Sequence, residues 1–353
     1  MTPRERVLTA LDHREPDRVP LFYRDVPEVE QRLRRNLGLE SRDELLEYLG
    51  IDFRWVEPRY VGPPLADDRT GRRRDVWGVE YRYVEAGHGG HWEPVAFPLA
   101  EVHDPAALDD YPWPEPDWFE FSAVEDQLAR YADYAIMTAP GVASPGVLNT
   151  IQFLLGMERA LGDMLLRPEF FRALAERILR FNLRFIERLY AAAGARIDLF
   201  RIGEDYGTQQ GLLFGVPQWE QLIRPTLEAM IATPKAHGSR YYHHTCGSVR
   251  ALIPRLIDAR VDVLDPIQVK AAGMEPGRLK ADFGDRLCFS GGVDEQELLP
   301  RGTPDDVRRG VAELLDVMAP GGGYFVGPTH NFQADIPTEN ILAMYEAARE
   351  WRY

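Results

Sequence analysis

Eight short runs rich in β-branched, aromatic and leucine residues recur along the chain. Most are followed by a stretch with apolar residues at three- and four-residue spacing. The first four are DRVPLF, with its core at 18–22, DFRWVEPRY (52–60), YAIMTAP (134–140) and IDLFRIGED (197–205). The second half adds SRYYHHTCG (239–247), VDVLDPIQ (261–268), RLCFSGGVD (286–294) and GYFVGPTHN (323–331). Most stop at Gly, Pro, Asp or Asn, as strands do. SVRALIPRLIDAR, PQWEQLIRPTLEAMI and TPDDVRRGVAELLDVMA read as amphipathic helices, the last opened by Thr303 as N-cap with Pro304 at the first helical position. Such alternation closes most economically into a single (β/α)8 TIM barrel, an α/β fold taking up residues 1–353 as one domain. No Gly-rich dinucleotide loop follows any run, which disfavours an open doubly wound sheet.

The alternation breaks once, between residues 61 and 121. There DVWGVEYRYVEAGHGGHWEPVAF predicts a β-hairpin and YPWPEPDW a proline-rich link. We read this as an insertion near the barrel mouth, leaving from the second strand–helix loop. RERVLTAL near the N-terminus predicts a short helix under the barrel bottom.

The net charge of −15, from 56 acidic and 41 basic residues, repels nucleic acid and anionic membranes. No run of eighteen apolar residues is present, and the N-terminus lacks a signal-peptide core. Two cysteines, Cys246 and Cys288, argue for a reducing, cytoplasmic setting rather than a disulfide framework.

Barrel enzymes carry their chemistry at the C-terminal ends of the strands. Arg24 and Asp25 end the first run, and Asp52 and Arg54 lie in the second. Glu204 and Asp205 end the fourth, His244 and Cys246 the fifth. Asp265 and Gln268 belong to the sixth, Asp294 to the seventh, and His330 and Asn331 to the eighth. His244 and Cys246 are two apart, so an extended chain points them to one side. Imidazole and thiolate suit zinc, and His330 is the natural third ligand of a site that keeps one position open. Glu204 or Asp205 is expected to orient substrate or act as base. Asp52, among aromatic neighbours, needs a partner or a raised pKa. Cys288 reads as packing. His88 and His91 sit on a hairpin tip unsuited to preorganising a metal, and Lys270 reads as a surface lysine.

The stretches RERVLTALDHREPDRVPLF, GEDYGTQQG, HHTCGSVRALIPRLIDARVDVLDPIQ and GGGYFVGPTHNFQADIPTENI together resemble the uroporphyrinogen decarboxylase-like superfamily. The resemblance spans nearly the whole chain, with 61–121 the least familiar part. It implies one of two chemistries. In the cofactor-free decarboxylases an aspartate and an arginine cluster grip a tetrapyrrole, and Asp52 and Arg24 look like members of that set. The second arginine of the cluster, however, falls on Glu28. The pocket tyrosine is absent too, Phe153 being nearest. In the zinc- and corrinoid-linked methyltransferases a His-x-Cys follows the fifth strand, which His244 and Cys246 match, and a further cysteine follows the eighth, where this chain has His330. One thiolate and two imidazoles leave Zn2+ with a charge of +1. That suits activation of an ether or hydroxyl oxygen or a substrate thiolate. No Asp-x-His-x-x-Gly cobalamin loop is present, so methylcobalamin would arrive on a separate corrinoid protein.

The expectation is therefore a zinc-dependent methyltransferase acting on a small methylated substrate. Its metal ligands are His244, Cys246 and His330, and its catalytic carboxylates Glu204, Asp205 and Asp52. Arg24, Arg54, Gln268 and Asn331 line the substrate pocket. The alternative is a cofactor-free decarboxylase or lyase with Arg24 and Arg54 as carboxylate clamps. A third reading is a non-catalytic tetrapyrrole- or corrinoid-binding protein. Apolar outer helices such as RFNLRFIERLYAAAGA are compatible with a homodimer.

Overall fold

The computed structural model describes residues 1–67, 72–86, 89–139 and 146–353. It is an α/β fold built on a curled, parallel seven-stranded sheet of the TIM-like type. In spatial order its strands are Phe53–Val56, Ala135–Thr138, Leu199–Gly203, Arg240–His244, Val263–Ile267, Cys288–Val293 and Tyr324–Pro328. Spatial order equals chain order, as successive βα units require.

The first expected strand is reduced to a single bridge. Leu21 pairs with Val326, the Phe22 N–H donates to the Val326 carbonyl, and on the other side the Asp52 N–H donates to the Leu21 carbonyl. Pro20, which has no N–H to give, limits how far this segment can join a ladder. It still touches both edges of the sheet. The third run ends at Pro140, outside the described residues.

Alternate strand residues face inward. Phe53, Met137, Leu199, Tyr242, Val263 and Phe325 form one buried cluster with Val7, Ala10 and Leu11. The last three belong to the helix Pro3–Leu11, which covers the N-terminal end of the strands as expected. Burying these side chains stabilises the fold by about 1.5–3 kcal/mol each. Above this apolar layer, towards the strands' C-terminal ends, Arg24, Arg201, His244 and Asp265 are buried instead. The interior is thus apolar below and polar above, and the upper layer positions the site.

Thr303 caps the helix Pro304–Met318, with Asp306 completing a capping box. Between residues 66 and 96 the strands Ala66–Asp67, Arg72–Arg74, Glu80–Ala86 and Gly89–Ala96 form a separate antiparallel sheet. His88 lies outside the described residues. His91 is exposed and pairs with Glu93.

Candidate metal centre

His244 is the last residue of the strand Arg240–His244 and stands in register with Asp265 on the neighbouring strand. Parallel pairing therefore puts imidazole and carboxylate side by side, with His244 Nδ1 2.7 Å from Asp265 Oδ2. The Arg24 Nη1 donates to the same Asp265 oxygen at 3.0 Å and also lies 3.0 Å from His244 Nδ1. Nδ1 cannot serve both as acceptor for Arg24 and as donor to Asp265. Burial pushes the Asp265 carboxyl up, but the Arg24 guanidinium and His244 outweigh it and hold it well below the usual carboxylate range. An ionised Asp265 fixes the proton on Nδ1. That leaves the Nε2 lone pair facing the mouth.

Nε2 points at Cys246. Its distance to Sγ is 3.6 Å, close to the roughly 3.5 Å that a nitrogen and a sulfur ligand span on a tetrahedral zinc. His330 follows the strand Tyr324–Pro328 and completes the group. The ligand atoms of His244, Cys246 and His330 all lie within 4.8 Å of one another. Burial holds both histidines below their ordinary pKa, His330 at about 3, with Arg24 adding to the effect. Neutral imidazoles are what a metal needs. Burial, helped by Asp205, pushes the Cys246 thiol up. The donor set, the tautomer and the spacing all fit zinc.

Glu204 and Asp205 separate in role. Glu204 is buried. Its Oε1 accepts the Leu148 N–H at 2.7 Å and its Oε2 accepts the Tyr206 hydroxyl. It thus caps the helix Val147–Leu155, and burial pushes its carboxyl up to about 7. Asp205 faces the centre: Oδ1 accepts the Cys246 N–H at 2.9 Å and lies 4.0 Å from His244 Nε2. Gln268 Oε1 accepts the Gly247 N–H at 2.8 Å, steadying the loop after Cys246. Asn331 is half-buried beside His330.

Two expected site residues are elsewhere. Asp52 precedes its strand and is fully buried at the opposite end of the sheet. It is clamped there by Arg6 at 2.6 Å, by Arg18 at 2.8 and 3.0 Å and by the Leu21 N–H at 2.8 Å. Arg54 has the wrong parity. Its neighbours Phe53 and Trp55 belong with the inner cluster, whereas its guanidinium lies 3.7 Å from the Tyr134 ring centroid and donates to the Ile51 and Phe53 carbonyls. Neither reaches the metal centre, so the decarboxylase reading loses its gripping aspartate and one of its two carboxylate clamps.

Cys288 lies 3.7 Å from the Leu11 carbonyl and from His13, deep in the base, as packing predicts. Lys270 is exposed and paired with Asp294 and Glu297. Three residues of the centre escaped sequence reading as such. Asp265 was visible as a strand-end acid, but not as the partner of His244. Arg201 was a lone cation inside LFRIG at the same parity as Leu199, a signal that pointed inward. Glu295 follows Asp294, and its backbone N–H donates to the Thr329 hydroxyl, next to His330, at 3.3 Å. Its carboxyl is pushed up to about 7 by burial, against the pull of Arg24.

The uroporphyrinogen decarboxylase family model matches residues 143–351, more than half of the chain. The chain belongs to that family. Among solved structures, a methyltransferase from Methanosarcina mazei superposes with a TM-score of 0.68 at 16% identity, covering 99% of each chain. This likeness shows that the two chains share one fold over their whole length. Xylanase B from Clostridium stercorarium F9 matches at a TM-score of 0.40 and 11% identity, over 66% of this chain and 77% of its own. No curated protein matches the chain.

Proposed function

We propose that this member of the uroporphyrinogen decarboxylase family is a zinc-dependent methyltransferase of the corrinoid-linked demethylase type, acting on a small methylated compound. One observation carries the reading: His244, Cys246 and His330 converge at the strand ends, with Asp265 behind His244. A zinc ion bound there would act as a Lewis acid towards a substrate oxygen or thiolate.

The chain's own groups do the remaining work. Asp265 holds His244 in the tautomer that presents Nε2, and Arg24 balances the Asp265 charge. The Glu295 N–H donates to the Thr329 hydroxyl and steadies the turn that carries His330. Asp205 stands beside His244 and Cys246 and is the carboxylate left to take or return a proton, since both Glu204 oxygens are engaged. Gln268 and Asn331 would contact substrate. The buried upper layer keeps water from competing for the methyl group.

The antiparallel sheet of residues 66–96 would cover the mouth. The Tyr83 hydroxyl donates to Glu28, beside the first strand end, at 2.9 Å. Tyr81 packs on Phe153, in the helix after the Ala135–Thr138 strand. On this reading the protein works in the cytoplasm as one barrel domain, the corrinoid comes on a separate protein, and a homodimer is compatible. No helix among the described residues is long and apolar enough to cross a membrane.

The test is metal content by elemental mass spectrometry on protein purified without a histidine tag, beside Cys246→Ser. About one zinc per chain, lost in the variant, supports the reading. Methyl transfer from methoxylated, methylated-amine and thiol compounds to free cob(I)alamin is then screened. Absence of stoichiometric metal after zinc is supplied during expression would sink it.

A further inference from the structure

Away from the metal ligands the protein keeps a cavity of about 470 Å³. It lies between the outward face of the sheet and the helices Ala123–Arg130 and Pro168–Ala193. Tyr60, Phe119, Phe185, Leu189, Phe200 and Arg201 form most of its wall. Folded interiors are close-packed, with few voids larger than a water molecule. A cleft of this size with mostly apolar walls has the dimensions of a small-molecule site.

The walls also specify what fits. Tyr60 and Phe119 meet edge to face at 5.3 Å, and Phe119 and Phe185 at 5.1 Å, so the rings hold one another in place before any ligand enters. Aromatic ligands gain from such edges and faces beyond the area they bury. The polar side chains of the wall are mostly engaged already. Gln127 accepts the Glu57 N–H at 3.0 Å and donates to the Glu57 carbonyl at 2.8 Å. The Thr138 hydroxyl accepts the Arg201 N–H at 2.8 Å, and the Tyr60 hydroxyl donates to the Pro63 carbonyl at 2.7 Å. Arg59 pairs with Glu120, while the Glu57 side chain is exposed. A sugar or nucleotide would leave its hydroxyls unmatched there. Arg201 forms the inner wall, and its charge also acts on Asp265 and His244. The cavity and the metal centre thus both border Arg201.

We propose that this cavity binds a neutral or singly charged aromatic compound of one or two rings, seated between Phe119, Phe185 and Phe200 with Arg201 between it and the metal centre. The site goes beyond the methyltransferase reading and does not depend on metal being bound.

The probe is 4-methoxyphenol, with cyclohexanol as a non-aromatic control of similar size, titrated calorimetrically into the full-length protein with and without chelator. The expected result is binding at least tenfold tighter for the phenol and unchanged by chelation. Two variants fill the cavity from different walls, Leu189→Trp from the long helix and Ala123→Phe from the short one. Each is expected to weaken phenol binding at least tenfold while circular dichroism and metal content stay those of the parent. If one fails to fold, the other decides. Equal affinity for both probes, binding that survives in a folded filled variant, or binding abolished by chelation would each overturn the proposal. The last would place the phenol on the metal instead.

Discussion

His244 Nδ1 and Asp265 Oδ2 lie 2.7 Å apart, on adjacent parallel strands in register, and both side chains are buried. A carboxylate behind a metal-binding histidine orients the ring and raises its basicity. Asp265→Asn keeps the shape but removes the charge that fixes the tautomer. We expect zinc affinity to fall about 10–100-fold, measured by competition with a chromophoric chelator. Unchanged affinity would remove Asp265 from the centre.

Metal binding is expected to release about one proton per ion at neutral pH. Both histidines are held neutral by burial, whereas burial keeps the Cys246 thiol protonated in the metal-free protein. Only the thiol therefore has a proton to lose, and affinity rises with pH. Zinc titrations in buffers of different ionisation enthalpy count that proton. A release near zero or near two contradicts the assignment.

Glu204 and Glu295 run against the usual carboxylate pattern. Burial raises both to about 7, above an unfolded value of about 4.3. Between those values the folded state holds more protons than the unfolded one, so stability falls as pH rises from about 4.5 to 7. The full penalty, on the order of 3–4 kcal/mol for each group, is present above pH 7. Denaturant unfolding across this range is expected to show the decline. Glu204→Gln should remove about half of it, and a slope that persists unchanged would exclude Glu204 as its source.

A side chain at position 146 collides with the cap of the next helix. A Cβ on Gly146 would stand 1.9 Å from Glu204 Cγ, so Gly146→Ala must displace Glu204 or the helix start. We expect a loss of about 1–3 kcal/mol. Thermal and denaturant unfolding read it directly, and parental stability would mean that Glu204 moves freely.

Asp52 is predicted to matter for stability alone. Removing it leaves Arg6 and Arg18 facing each other in a buried site, which costs about 3–5 kcal/mol. Asp52→Ala should lower the melting temperature while zinc stoichiometry in the folded fraction stays at parental level. Metal loss in folded protein would reconnect Asp52 to the centre.

How much of this was written in the sequence follows from what period and spacing can encode. Seven of the eight strands, the base helix and the Thr303 cap were legible because local propensity and burial pattern agree there. The His-x-Cys pair was legible because extended chain has period two, so a spacing of two means one side. His330 could be nominated only because a barrel turns the C-terminal ends of all its strands to one mouth. Parity within a strand and the end of the barrel a residue occupies were not legible. Asp52 and Arg54 sit in an attractive run, but only the register Phe53↔Ala135 shows Asp52 at the base and Arg54 turned outward. Glu204 and Asp205 are neighbours in sequence. Strand geometry sends one carboxylate into a helix cap and the other towards His244, and the difference rests on Leu148 and Tyr206, which only folding brings into contact. The sequence by itself determined which side chains could bind metal and the architecture that would collect them. Tertiary structure decided which ones meet, because non-local partners, not residue type, choose between a ligand, a cap and a buried ion pair.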